Sequence, residues 1–268
     1  MRPRKRFGQH FLEPAWVEKL IAAIGPAATD RFLEIGPGRG AITIPLSSRV
    51  DRVLAVEIDR DLTARLQALA LPNTTVVTGD VLDLPLEELM VRELGGSVEA
   101  RIRIVGNLPY NVSSPVLFRL LDLAVATNAI RDATLMLQQE VAARLAARPG
   151  TREYGVLTVA VALGAEVTPL LALPPGAFRP PPKVRSTVAR LTFRPPPVQT
   201  PDPALLMEIV RSIFTQRRKM LGNALQPFAT THGREAREAL TAAGLDPRRR
   251  PETLELAELV RLTATFAR

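Results

Sequence analysis

Four apolar-to-polar transitions, each at the end of a short strand-like run, constrain this chain more than any other feature. The first is Phe32-Leu33-Glu34-Ile35 running into Gly36-Pro37-Gly38-Arg39-Gly40, followed by an apolar helical stretch to about Ser48. Glycines between a strand and a helix N-terminus let a ligand approach the backbone closely. The spacing is Gly-x-Gly-x-Gly rather than the dinucleotide pattern, and the preceding acid, Glu34, would repel a pyrophosphate. It suits a zwitterionic or cationic guest. The second run, Arg52 to Val56, ends in Glu57-Ile58-Asp59, about twenty residues past the glycines, where a carboxylate commonly takes both hydroxyls of a ribose. The third, Thr75-Val76-Val77, ends in Gly79-Asp80-Val81. Any one acid, taken alone, reads as a cap or a solvated charge. In register, they describe the nucleoside-binding edge of a doubly wound α/β sheet.

The fourth run, Arg103 to Gly106, ends in Asn107-Leu108-Pro109-Tyr110. This turn offers two acceptors, the Asn107 side-chain oxygen and the Leu108 carbonyl, with the backbone held by the fixed φ of Pro109. Tyr110 adds a flat face. Together they suit a planar base with an exocyclic amine; a proline-closed strand-to-helix turn with a core tyrosine is the alternative. Ser114-Pro115 reads as a helix cap with proline at the first helical position. A fifth strand is expected over Ala133–Leu137, and a helix over Val156–Leu163.

Two further strands bracket Phe178-Arg179-Pro180-Pro181-Pro182-Lys183-Val184-Arg185-Ser186. From Arg179 to Arg194 there are five basic side chains and no acid. A proline-stiffened basic loop headed by Phe178 fits a base-stacking lip over phosphates, with a rigid surface turn as the alternative. Pro195-Pro196-Pro197 marks a linker, so the chain divides into a 1–197 ligand-binding domain and a smaller all-α domain over 198–268. The latter carries Arg217-Arg218-Lys219, expected on a helix from Arg217 to Leu225, and Arg248-Arg249-Arg250.

Charge supports a polyanionic partner. The net charge is +8, and only four of the 35 basic residues are Lys, a preference that favours bidentate phosphate contacts. Arg179, Lys183, Arg185, Arg217, Arg218 and Lys219 are the candidate phosphate-binding set. With no cysteine and only His10 and His232, disulfides, thiolate catalysis and nearly every zinc site are excluded, and no metal is expected. No run of eighteen apolar residues is present and the basic N-terminus lacks a following apolar stretch, so neither a membrane span nor a secretory signal is expected, and a soluble cytoplasmic protein is.

A nucleoside with a positive centre is S-adenosylmethionine, and Glu34, Glu57 and Asp80 are placed to fit it. Leu33-Glu34-Ile35-Gly36-Pro37-Gly38-Arg39-Gly40 resembles the first motif of the class I (Rossmann-like) methyltransferases. Phe7-Gly8-Gln9-His10-Phe11-Leu12, Asn107-Leu108-Pro109-Tyr110-Asn111, Tyr154-Gly155 and Phe178 to Val184 together resemble the rRNA adenine dimethyltransferases over nearly the whole chain. Phe214-Thr215-Gln216-Arg217-Arg218-Lys219-Met220-Leu221, with Asn223 and Leu225, is similar to the small-subunit KsgA type. That resemblance implies a doubly wound mixed sheet with a helical C-terminal domain. It implies cofactor contacts at His10, Leu12, Gly36, Gly38, Glu57, Ile58, Asp80, Val81 and Asn107, with methyl transfer at Asn107, Leu108, Pro109 and Tyr110 and stacking at Phe178. The substrate it implies is a pair of adjacent adenosines near the 3′ end of small-subunit rRNA, each dimethylated at N6, within a small ribosomal subunit or its precursor. One position departs: His10 stands where the family usually has Asn. Large-subunit rRNA or DNA adenine methylation, a small-molecule substrate, and a non-catalytic RNA-binding assembly factor are the alternatives.

Overall fold

The structure is a computed structural model that describes residues 10–95, 102–109 and 112–267. Two compact units are formed, Met1–Ala142 with Glu166–Phe193, and Ala143–Ala165 with Arg194–Arg268.

The first unit begins with a two-residue strand β1 (Phe11–Leu12) and helix α1 (Pro14–Ile24). Pro14 opens α1 where no N–H is required, and Gly25, at φ 59°, closes it by donating to the Ile21 carbonyl. There follow β2 (Arg31–Ile35), α2 (Thr43–Ser47), β3 (Arg52–Glu57), α3 (Arg60–Gln67), β4 (Thr74–Thr78) and α4 (Leu86–Met90). Then come β5 (Ile102–Asn107), α5 (Ser113–Thr127), β6 (Ile130–Gln138) and α6 (Gln139–Leu145). Asp59 caps α3 by accepting the Asp61 N–H. The expected Ser114 cap is not formed: α5 starts two residues earlier, at Ser113 behind Val112, with no side-chain cap.

After α7 (Val156–Gly164), strands β7 (Ala165–Leu173), β8 (Phe178–Arg179) and β9 (Ser186–Phe193) return to this unit. The main sheet has the order β4-β3-β2-β5-β6-β9-β7. The β4/β3, β3/β2, β2/β5 and β5/β6 pairs are parallel, and β6/β9 is antiparallel. Strand order therefore reverses between β2 and β5, which places a crevice at their carboxyl ends. These strands read as near-continuous apolar runs because both faces are covered: Phe32, Leu33, Leu54, Ala55, Ile104 and Val105 are all buried. Gly106 is required at this seam. It pairs with Ile35 on β2, and a Cβ there would stand 2.8 Å from the Ile35 carbonyl oxygen.

The opposite ends of these strands are fastened by charge. Arg103, buried and next to a register shift in the β5/β6 ladder, donates to Asp132, Asp30 and the carbonyls of Ile24 and Gly25. A buried guanidinium is tolerated only when its donors are matched in this way. Arg190 adds two bonds to the last carbonyls of α1, at Ala23 and Ile24.

The second unit is helical: α7, α8 (Pro203–Phe214), α9 (Leu221–Thr231), α10 (Ala236–Ala242) and α11 (Leu256–Ala264). Its core joins Leu206, Ile209 and Ile213 of α8 to Leu225, Leu240 and Leu259, and it includes Tyr154, Val159 and Leu163. The boundary expected at 197/198 is therefore corrected: residues 143–165 belong with the helices, because α7 is apolar nearly all round and Tyr154 donates its hydroxyl to the Leu254 carbonyl at 2.7 Å. Arg217-Arg218-Lys219 is corrected as well, lying in the turn between α8 and α9 rather than on a helix. Among the described residues no helix is long and apolar enough to cross a membrane.

Candidate active site

A cavity of about 370 Å³ opens at the carboxyl ends of β2, β3, β4 and β5, a volume within the range of small-ligand sites. Four sequence-predicted groups converge on it. The glycine turn brings Gly36 and Gly38, the end of β3 brings Glu57 and Ile58, the turn after β4 brings Asp80 and Val81, and the end of β5 brings Asn107, Leu108 and Pro109. His10 and Leu12 close it from the N-terminal side. Tyr110 lies outside the described residues.

Gly36 and Gly38 hold φ values of 68° and 60°, a region that penalises any side chain. A Cβ on Gly38 would also stand 3.2 Å from the Phe11 ring. Arg39 lies over that ring, 4.2 Å from its centroid. Glu57 is buried, and each of its oxygens already accepts one backbone N–H, from Gly38 and from Asp59, both at 2.9 Å. One lone pair remains on each oxygen for a guest. Burial, with the Asp59 charge in addition, pushes the Glu57 carboxyl up from its ordinary value, and the backbone N–H groups of Asp59, Gly38 and Ile58 oppose that push. Asp80 uses one oxygen to cap its own turn at the Leu82 N–H, 2.9 Å away. Ile58 is apolar yet 44% exposed at the cavity, which suits an apolar face of a guest.

Glu34 does something other than expected. It is 1% exposed and does not line the cavity. Neither carboxyl oxygen has a hydrogen-bond partner of good geometry. Burial first, and the Glu57 charge in addition, push it up to about 8, with Thr43 only partly opposing them. It is a neutral acid under the glycine turn, so it does not present a charge to a cationic guest.

Asn107 is oriented unambiguously. Its Nδ2 donates to the His10 carbonyl at 2.7 Å; a carbonyl only accepts, so the amide oxygen faces the other way. His10 thus bears on the site through its backbone, while its ring Nδ1 contacts the Pro180 carbonyl at 2.7 Å. No sequence signal marked the pairing behind this. β1 and β8 form a two-stranded antiparallel ladder, Phe11 opposite Arg179 and Leu12 opposite Phe178, and two-residue strands carry no readable period.

That ladder corrects the reading of Phe178 as a base-stacking lip. Its ring is 2% exposed and packs with Leu12, Leu20, Ile24, Met136 and Val188, because the β1/β8 register turns it inward. The basic set divides too. Lys183 and Arg185 are exposed, and Arg179, although exposed, pairs with Glu13 at 2.7 Å. Arg190 and Arg194 are engaged with backbone carbonyls. In the second unit Arg217 bonds Glu252 and the Arg152 carbonyl, leaving Arg218 and Lys219 as the exposed members of that cluster. Arg248 pairs with Asp246, and Arg249 with Glu258. Among the described residues no group of three or more His, Cys, Asp or Glu is arranged to hold a metal ion.

The model of one protein family, described as ribosomal RNA adenine dimethylase, matches residues 1–267. A protein of Nitrosococcus oceani named ribosomal RNA small subunit methyltransferase A is 43% identical, over 98% of this chain and 95% of its own. One of the same name from Acinetobacter baylyi is 41% identical, over 98% and 92%. Among solved structures, a dimethyladenosine transferase from Plasmodium falciparum superposes with a TM-score of 0.75 at 23% identity, covering 94% of this chain and 96% of its own. The 23S rRNA methyltransferase ErmE superposes at 0.64 and 24%, covering 96% and 99%. These two likenesses concern the fold alone.

Proposed function

The chain belongs to the ribosomal RNA adenine dimethylase family, and from that premise we propose that it transfers methyl groups from S-adenosylmethionine to N6 of two adjacent adenosines near the 3′ end of small-subunit rRNA, giving N6,N6-dimethyladenosine during small-subunit biogenesis in the cytoplasm. The observation that carries the chemistry is the fixed Asn107 amide, whose oxygen is the end left for a guest amine.

The cavity fits the cofactor. Gly36 and Gly38 allow close approach of backbone, the two remaining Glu57 lone pairs suit a pair of ribose hydroxyls, Asp80 suits the cofactor's adenine amine, and Ile58 and Val81 supply apolar walls. S-adenosylmethionine supplies an electrophilic methyl on a positively charged sulfur.

An adenine amine is a weak nucleophile because its lone pair is delocalised into the ring. In the first transfer the Asn107 oxygen and the Leu108 carbonyl accept its two hydrogens and draw them out of the ring plane, which localises the lone pair toward the cofactor side; in the second, the one remaining hydrogen is held by one of the two. Both acceptors also stabilise the positive charge that develops on nitrogen, and they are set before the reaction begins. The methylated nitrogen then gives up a proton to solvent water, for which no strong base is needed. Tyr110 is assigned to stacking on the extruded base, worth about 1–3 kcal/mol. Lys183, Arg185, Arg218 and Lys219 are assigned to rRNA phosphates.

The test is to supply labelled cofactor with a partly assembled small subunit, naked small-subunit rRNA, large-subunit rRNA or duplex DNA and to map the label. Two adjacent adenosines near the 3′ end of the small-subunit RNA are expected. Label confined to large-subunit rRNA or DNA overturns the substrate, and no label on any of them overturns the enzyme.

A further inference from the structure

His10 joins the methyl-acceptor turn to the proline loop. Through its carbonyl it takes the Asn107 Nδ2–H, and through its ring Nδ1 it meets the Pro180 carbonyl, each at 2.7 Å. The partners are 97 and 170 residues away in the chain. Around it, Phe11 and Leu12 pair with Arg179 and Phe178, the Glu13 N–H donates to the Ala177 carbonyl at 2.9 Å, and the Glu13 carboxylate pairs with Arg179.

We propose that His10 is a positioning residue for methyl transfer: its ring, bonded to Pro180, holds the segment whose His10 carbonyl aims the Asn107 amide oxygen at the substrate amine. This rests on the reading of Asn107 as an acceptor given above.

The chemistry of the two contacts decides which side chains serve. A carbonyl only accepts, so the Pro180 contact requires hydrogen on Nδ1, whichever state the other ring nitrogen is in. Asparagine places its Nδ2–H the same number of bonds from Cα and can therefore make the same bond. Aspartate, ionised, sets an acceptor against an acceptor, and leucine fills similar space with no donor. The β1/β8 ladder is only two residues long, and the ring contact adds a side-chain tie at its N-terminal end. Without it the His10 carbonyl shifts and the Asn107 amide loses its reference. A displacement on the order of 1 Å in a positioned group costs about 10²-fold in rate.

The experiment measures single-turnover methylation of small-subunit particles, alongside calorimetric binding of S-adenosylhomocysteine, for His10→Asn, His10→Leu, His10→Asp and Asn107→Ala. Expected is a rate within about threefold of the parent for His10→Asn and a loss of about tenfold or more for His10→Leu and His10→Asp, with product-cofactor affinity within about threefold for the three His10 variants. Rates for His10→Leu equal to those for His10→Asn overturn the proposal, as does a loss that tracks weakened cofactor binding. A parent-like rate for Asn107→Ala overturns the acceptor reading itself. A slow Asn107→Ala beside parent-like His10→Leu and His10→Asp overturns only the role of His10.

Discussion

The Glu57 carboxylate accepts the Gly38 amide N–H at 2.9 Å, so the end of β3 and the turn after β2 are held together by one side chain before any ligand arrives. Glu57→Gln replaces one accepting oxygen with a donor and sets it against a backbone N–H, either Gly38 or Asp59. We expect the dissociation constant for S-adenosylhomocysteine to rise by about tenfold or more, equivalent to about 1.4 kcal/mol. Titration calorimetry checks this; a change below threefold contradicts the ribose role.

Glu34 makes stability depend on pH. Its carboxyl is pushed up to about 8 in the folded chain from an ordinary value of 4.5, chiefly by burial. A raised folded value means that the neutral form is favoured on folding. The contribution is complete below about 4.5, declines above it and is lost as pH passes through about 8. Glu34→Gln stays neutral throughout. The melting temperature of the parent should therefore fall relative to Glu34→Gln between pH 5 and pH 8, by several degrees; parallel curves across that window refute the assignment.

Gly106→Ala places a methyl 2.8 Å from the Ile35 carbonyl oxygen across the β2/β5 seam, where backbone is the obstacle. Parallel strands have no slack at that distance. A loss of about 1–3 kcal/mol in urea unfolding is expected, together with slower turnover, because the seam carries Asn107 at its end. Unaltered stability shows that the strands separate freely.

Arg218 and Lys219 are the exposed members of their cluster, whereas Arg217 is bound to Glu252 and the Arg152 carbonyl. Neutralising Arg218 and Lys219 together should flatten the dependence of log K for rRNA on log salt by about 1.5, at roughly 0.7–0.9 for each phosphate no longer neutralised. Arg217→Ala should instead lower stability by about 1 kcal/mol or less, since the pair is part-exposed and screened. Filter binding over a salt series, with thermal melts, distinguishes the two. Equal slopes for parent and double variant exclude phosphate contacts at this turn.

The sheet edge was legible because its evidence is local. Gly36, Glu57, Asp80 and Asn107 each follow directly on their own apolar run, and parallel pairing in register carries them to one crevice. What stayed hidden is nonlocal. The burial of Phe178 depends on pairing with Leu12, and a proline-rich setting gives no sign of that. The assignment of 143–165 to the helical unit depends on what Tyr154 and Leu163 pack against. Arg217 looks identical to Arg218 as text, and only the position of Glu252 separates them. Glu34 belongs with these, since a charge written at a strand end says nothing about whether water reaches it.

Strand β5 works as a spindle clamped at one end. Arg103 is gripped by Asp30, Asp132 and the end of α1, and Asn107 stands four residues on, about 13 Å along an extended strand. The clamp fixes the strand and the tip presents the Asn107 amide to the cavity. The tip is therefore held by a contact of its own, to the His10 carbonyl, separate from the foundation, whereas damage at the clamp would displace a tip whose own atoms are all intact.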